Sequence, residues 1–176
     1  MPPSRSHPMV ARAALGITDP TGSICTCNRG GRSSARRSHS GSTYLTELDG
    51  VFTKEIVEQG LREFPNECCG VIAAADGVPV KVFPMRNADA SPVTYRLDGK
   101  EQLHVFEEID EQGWELWAIY HSHTHTEAYP SETDIRLAFY PEARYIIVSL
   151  TDREAPVIRS FFITDGEVTE EELTIS

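Results

Sequence analysis

Six histidines occur in the 176 residues, and three of them crowd into one short segment, HSHTHTEAYPSETD, from His121 to Asp134. His121 and His123 stand two apart at the end of the apolar run ELWAIYHSH. A β-strand repeats every two residues, so both imidazoles face the same side. Ser131 and Asp134 stand three apart where a short helix should begin, and residues at that spacing also share a face. A strand end and a helix start joined by a short loop can bring the two pairs together. Two neutral imidazoles and one carboxylate form the protein ligand set of a catalytic zinc site, with the fourth position left open. Such a set leaves the ion with residual positive charge, enough to polarise a carbonyl and to bring the pKa of water down toward about 7. Ser131 with Asp134 also reads as a helix capping box, a structural role that needs no metal.

The elements that must position these residues follow from periodicity. Ile56, Val57, Leu61 and Phe64 lie at helical spacing from Thr53 onward, with Pro65 closing the helix. CCGVIAAA and VPVKVFPM flank an Asp76-Gly77 turn and predict a hairpin, with Pro84 pointing to an edge or a bulge. Val93–Leu97 reads as a third strand. Gly99–Gly113 reads as an acidic helix with Leu103, Phe106 and Ile109 inward. After the ELWAIYHSH strand, Ser131–Tyr140 predicts a short helix that turns Ile135, Ala138 and Phe139 inward. Strands over Tyr145–Leu150, Pro156–Ile163 and Val168–Ile175 complete a mixed α/β (α+β) fold.

Composition bounds what such a site serves. The chain is 40% hydrophobic and 24% charged, ordinary globular values, with a net charge of −11. Residues 1–44 hold six Arg and one acid, for +5, and the remainder holds 10 basic and 26 acidic residues, for −16. Residues 1–44 are rich in Ser, Gly, Pro and Arg without apolar periodicity and predict a disordered basic tail, leaving 45–176 as the folded domain. A transit-type leader is a further reading of that tail. The acidic balance argues against nucleic acid as a partner, and no stretch reaches the roughly 18–20 apolar residues of a membrane span. Cys25 and Cys27 in the tail and Cys68-Cys69 in the domain form neither a disulfide framework nor a zinc knuckle, which fits a reducing, cytoplasmic setting.

His121-x-His123, seven residues, Ser131, two residues, Asp134 resembles the motif of the JAMM, or MPN-plus (Mov34/PAD-1), zinc metalloproteases, with Pro130 strengthening the likeness. The resemblance covers roughly Leu48 to Ile175. It implies a single JAMM/MPN-like, cytidine-deaminase-like domain: a mixed, mostly antiparallel sheet flanked by helices. It further implies that His121, His123 and Asp134 hold Zn2+. Glu67, in PNECCG, would move a proton from the attacking water to the leaving amine, and Ser131 would hydrogen-bond the oxyanion. The chain departs from many members in having Thr124 after the second histidine. His125 then adds a third imidazole, which reads as a solvent-facing loop residue or as part of the substrate groove.

The compact form with ECCG and HSHT is similar to the bacterial branch that hydrolyses cysteine from the C-terminal Gly-Gly of a small ubiquitin-like sulfur-carrier protein, a step of cysteine biosynthesis. Cys68 and Cys69 read as small buried residues, of which at most one faces the site. A JAMM isopeptidase acting on another ubiquitin-like conjugate is the main alternative. A non-catalytic MPN binding module fits less well, since the ligands and Glu67 are all present. A nucleobase deaminase is disfavoured because the PCxxC string is missing. The residues leave monomer and homodimer equally open.

Overall fold

The computed structural model describes residues 46–176; the tail reading for 1–44, with Cys25 and Cys27, lies outside them. In chain order the elements are β1 (Thr46–Leu48), α1 (Gly50–Glu63), β2 (Cys69–Ala75), β3 (Val78–Met85), α2 (Gly99–Gln112), β4 (Glu115–His123), α3 (Glu132–Arg136), β5 (Arg144–Ser149), β6 (Val157–Thr164), β7 (Glu167–Glu171) and β8 (Leu173–Ile175).

The β2–β3 hairpin turns through Asp76 at φ 51° and Gly77 at φ 81°, the left-handed pair that matches the twist of its strands. Six strands form one sheet in the order β3-β2-β4-β5-β6-β7. Its pairs are antiparallel except β4 with β5, which run parallel. β3 lies at the edge, where Pro84 needs no ladder partner on one side. Outside this sheet, β1 pairs in parallel with β8.

Two apolar layers sandwich the sheet. On one face Leu48 and Ile56 pack over Ile72, Tyr120, Ile146 and Val148. On the other Val105 and Ile109 pack over Val71, Ile119, Tyr145 and Ile163. The architecture is the expected mixed, mostly antiparallel sheet flanked by helices. Among the described residues no helix is long and apolar enough to cross a membrane.

Several local expectations need correction. Asp49 caps α1, which begins at Gly50, three residues before the predicted start, and the buried face of the helix is Ile56, Gln59 and Gly60, with Leu61 exposed. Gln59 is buried because its amide donates to the carbonyls of Cys69 and Met85 and its oxygen accepts from Tyr120 Oη at 2.6 Å. Val93–Leu97 forms no strand; only the bridge Asn87–Leu97 remains. The Asn87 side chain takes over the backbone there, accepting from the N–H groups of Asp89 and Arg96 and donating to the carbonyls of Glu67 and Thr94. In α2 the buried residues are Val105 and Ile109, and Leu103 is exposed. The third helix is five residues long, and Phe139 points outward at 73% exposure. The last predicted strand is split, because β8 leaves the large sheet to meet β1.

Candidate metal centre

β4 is buried along nearly its whole length and ends in the two histidines. β2 lies on one side of it, pairing Cys69 with His121, and β5 lies on the other, pairing Ser149 with His123. Strand parity puts both imidazoles on the sheet face that Ile119 shares with α2. A short loop leads to Ser131, which caps α3 by accepting from Asp134 N–H at 3.2 Å. Asp134 reciprocates: its Oδ2 accepts from Ser131 N–H at 2.7 Å and from Ser131 Oγ at 2.6 Å. The capping box and the ligand carboxylate are therefore the same residue.

The donors converge. Nε2 of His121 and Nε2 of His123 are 3.0 Å apart, and they lie 3.4 and 3.3 Å from the two oxygens of Asp134. A tetrahedral zinc with ligands at about 2.0–2.1 Å requires donors roughly 3.3 Å from one another, so the three atoms fit that ion. All three residues are buried, and they form the cluster of potential ligands found among the described residues. The donor chemistry agrees with the spacing. Nδ1 of His123 is occupied by the Glu127 carbonyl at 2.9 Å and Thr126 Oγ1 at 3.0 Å, which presents the Nε2 lone pair to the centre. Nδ1 of His121 is buried without a partner, and its ring stacks on Tyr95.

The local field fits a cation. Burial holds His121 below its ordinary pKa and so neutral. Burial also pulls on His123, but bonding to Asp134 and to the Glu127 carbonyl outweighs it and raises the pKa. Burial alone would raise Asp134; its bonds to both histidines win and hold it well below the usual carboxylate range.

Glu67 and Ser131 border a pocket of about 130 Å3 that also touches His123, Thr124, His125 and Asp134. Glu67 is 5% exposed, and its N–H donates to the Ser91 carbonyl at 2.9 Å. Burial pushes its carboxyl up to about 7; His123 opposes that shift and Asp134 adds to it. Ser131 is exposed to the pocket mouth. Thr124 is buried, and its hydroxyl donates to the Pro92 carbonyl at 2.8 Å, tying this loop to the 87–97 segment. His125 is exposed and outside the donor cluster. Cys68 and Cys69 are fully buried, as small core residues would be, and burial raises both thiols, Cys68 to about 12. A second groove, of about 270 Å3, lies on the other side of Asp134 between Val93–Leu97 and Leu137–Tyr140, and Phe139 lines it.

Sequence reasoning missed Tyr95, Thr126 and Glu127. Glu127 acts through its backbone carbonyl, so its side-chain type carries no signal.

A mixed sheet whose β4 ends in two histidines, met by an aspartate from α3 beside a buried glutamate, defines a metallohydrolase of the JAMM type. The family model for prokaryotic homologs of the JAB domain matches residues 51–164, and the chain belongs to that family. It is 42% identical over 137 residues to the CysO-cysteine peptidase of Mycobacterium tuberculosis, covering 77% of this chain and 94% of that one. The solution structure of DSY2949 from Desulfitobacterium hafniense is similar at a TM-score of 0.68 and 34% identity, over 75% of this chain and 93% of that chain. AF2198, a JAB1/MPN domain protein from Archaeoglobus fulgidus, shares the fold at a TM-score of 0.50 and 18% identity, over 74% and 99% of the two chains.

Proposed function

We propose that this chain is a zinc metallopeptidase that hydrolyses the amide bond between the C-terminal glycine of a small ubiquitin-like sulfur-carrier protein and L-cysteine, releasing cysteine. The observation that carries this reading is the ligand set His121, His123 and Asp134 in a chain that matches 94% of the length of a CysO-cysteine peptidase. The small pocket beside Glu67 suits a leaving residue of cysteine's size. The groove on the far side of Asp134 suits an extended Gly-Gly tail, whose missing side chains let the backbone approach closely.

Zinc bound by the triad would supply Lewis-acid polarisation of the scissile carbonyl and acidification of the attacking water. Glu67 accepts a proton from that water and delivers it to the departing amine. Burial raises that carboxyl above its ordinary value in the metal-free protein, which suits it to hold a proton between the two transfers. Ser131 donates its hydroxyl to the oxyanion once the proton turns away from Asp134 Oδ2. His123, pinned at Nδ1, keeps its ligand nitrogen aimed throughout.

We assign the activity to residues 45–176 and expect a chain lacking 1–44 to keep zinc and turnover. The cytoplasm is its proposed location, since adjacent free cysteines suit a reducing compartment.

The test is incubation with a sulfur carrier bearing a C-terminal cysteine, read by intact mass. Loss of the cysteinyl residue is expected. An unchanged carrier, alongside cleavage of an isopeptide-linked conjugate, would transfer the enzyme to the isopeptidase class.

A further inference from the structure

Three loops meet at the open end of the site: Phe64–Glu67 before β2, Thr124–Pro130 after β4, and Thr151–Ala155 after β5. They are neighbours because β4 and β5 run parallel and end together, while β2 begins where β4 ends. Leu150 N–H donates to the His123 carbonyl at 2.8 Å, and Ser149 Oγ donates to the Thr126 carbonyl at 2.6 Å, which stitches the second loop to the third.

Across this end Arg153 reaches back over Phe64, its guanidinium carbon 4.7 Å from the ring centroid. The Phe64 ring lies 6.4 Å from that of His125, which lines the Glu67 pocket. Arg153 therefore lies one ring removed from the pocket, over Phe64, whose own neighbour His125 is part of the lining. Lys81, Arg86, Arg96, Arg144 and Arg159 each pair with an acid, whereas the Arg153 side chain, like those of Arg62 and Lys100 elsewhere, makes no ion pair or hydrogen bond among the described residues. Stacking engages the face of a guanidinium and leaves its N–H edge free to grip a carboxylate in two places.

The pocket itself is acidic, lined by Glu67 and Asp134, in a domain of 26 acids against 10 bases. A terminal residue entering it brings a carboxylate of its own. That charge needs a cation other than the metal, and Arg153 supplies one without surrendering an existing partner.

We propose that Arg153, held on Phe64, is the binding site for the free α-carboxylate of the residue being removed, and that this contact makes the enzyme an exopeptidase for a single C-terminal residue. The inference rests on the hydrolase reading above and adds a specificity determinant to it. An isopeptide conjugate has no carboxylate at that place, so the same contact selects against such substrates.

The test uses the full chain with zinc and two carriers, one ending in cysteine with a free carboxylate and one ending in cysteine carboxamide. The wild type should favour the acid by about tenfold to a hundredfold in kcat/KM, as for a charged hydrogen bond. Arg153→Met, which keeps the packing stem, should raise KM for the acid and erase the preference, and Arg153→Lys should restore part of it. If Arg153→Met lowers both substrates equally, or keeps the wild-type preference, the carboxylate site is overturned while the hydrolase reading stands. A wild type that cleaves neither carrier overturns the hydrolase reading and the inference with it.

Discussion

The phenol ring of Tyr95 lies parallel to the imidazole of His121, 4.2 Å between centroids and 18° between planes. His121 has no hydrogen-bond partner on Nδ1, so stacking replaces the polar contact that orients His123. Tyr95→Phe keeps the ring and should bind zinc as the wild type does. Tyr95→Ala removes it and should weaken zinc by about tenfold to a hundredfold, the range for lost ligand support. Competition with a chelator measures both; equal affinity in all three proteins would show that the surrounding backbone alone aims His121.

Asp134→Ala should abolish stoichiometric zinc, because the described residues offer three ligands and two imidazoles hold the ion poorly. Elemental analysis reads the outcome directly. The same change removes the acceptor for Ser131 N–H and should cost the metal-free fold about 1 kcal/mol. Zinc retained at wild-type content would reassign the third ligand.

Glu67→Gln removes the proposed proton shuttle and leaves the three ligands untouched. Zinc content should be normal and kcat should fall by about a hundredfold to ten-thousandfold. Its effect on stability depends on pH. The Glu67 carboxyl has an ordinary pKa of 4.5 and one of about 7 in the fold, so the folded state holds the proton more tightly than the unfolded chain. In metal-free protein this contribution is fully present below pH 4.5 and is lost as pH rises through about 7. Gln at 67 cannot lose a proton. Melting curves of the chelated proteins should show the wild type declining relative to the variant across that window; parallel profiles would place Glu67 in contact with solvent.

Gly70→Ala should fail to accumulate as folded protein. A Cβ at Gly70 would stand 2.3 Å from Tyr120 Oη and 2.4 Å from the Phe83 carbonyl, and the latter is backbone in the paired strand β3. Tyr120 is itself tied to Gln59, so neither neighbour yields cheaply. A loss of about 3 kcal/mol or more follows. Denaturant titration checks it, and a midpoint like that of the wild type would mean that β2 and β3 separate more easily than their pairing suggests.

The hairpins at Asp76-Gly77 and Asp165-Gly166 and the strand ending in His121 and His123 were legible because turn chemistry and alternation are local signals. The β1–β8 pair was not, since each strand is three residues long and its partner lies at the other end of the domain. Val93–Leu97 looked like a strand because its composition suits one; the competing signal was a single asparagine outside the segment, Asn87. Helical faces were misjudged where apolar residues border a groove, as Phe139 does, since periodicity records which side chains are apolar and not what covers them. At the site, ligand spacing was visible in the chain. Support from Tyr95 and from the Glu127 carbonyl depends on contacts that spacing does not encode.

One carboxylate both starts α3 and completes the ligand triad. A helix of five residues has little stability of its own. The bonds at its first turn thus open and close with occupancy of the centre, and an ion that binds the closed form lowers the population of the open one. Amide hydrogens of Asp134 and Ile135 then become reporters of metal loading, exchanging with solvent faster in chelated protein while the interior of β4 stays protected.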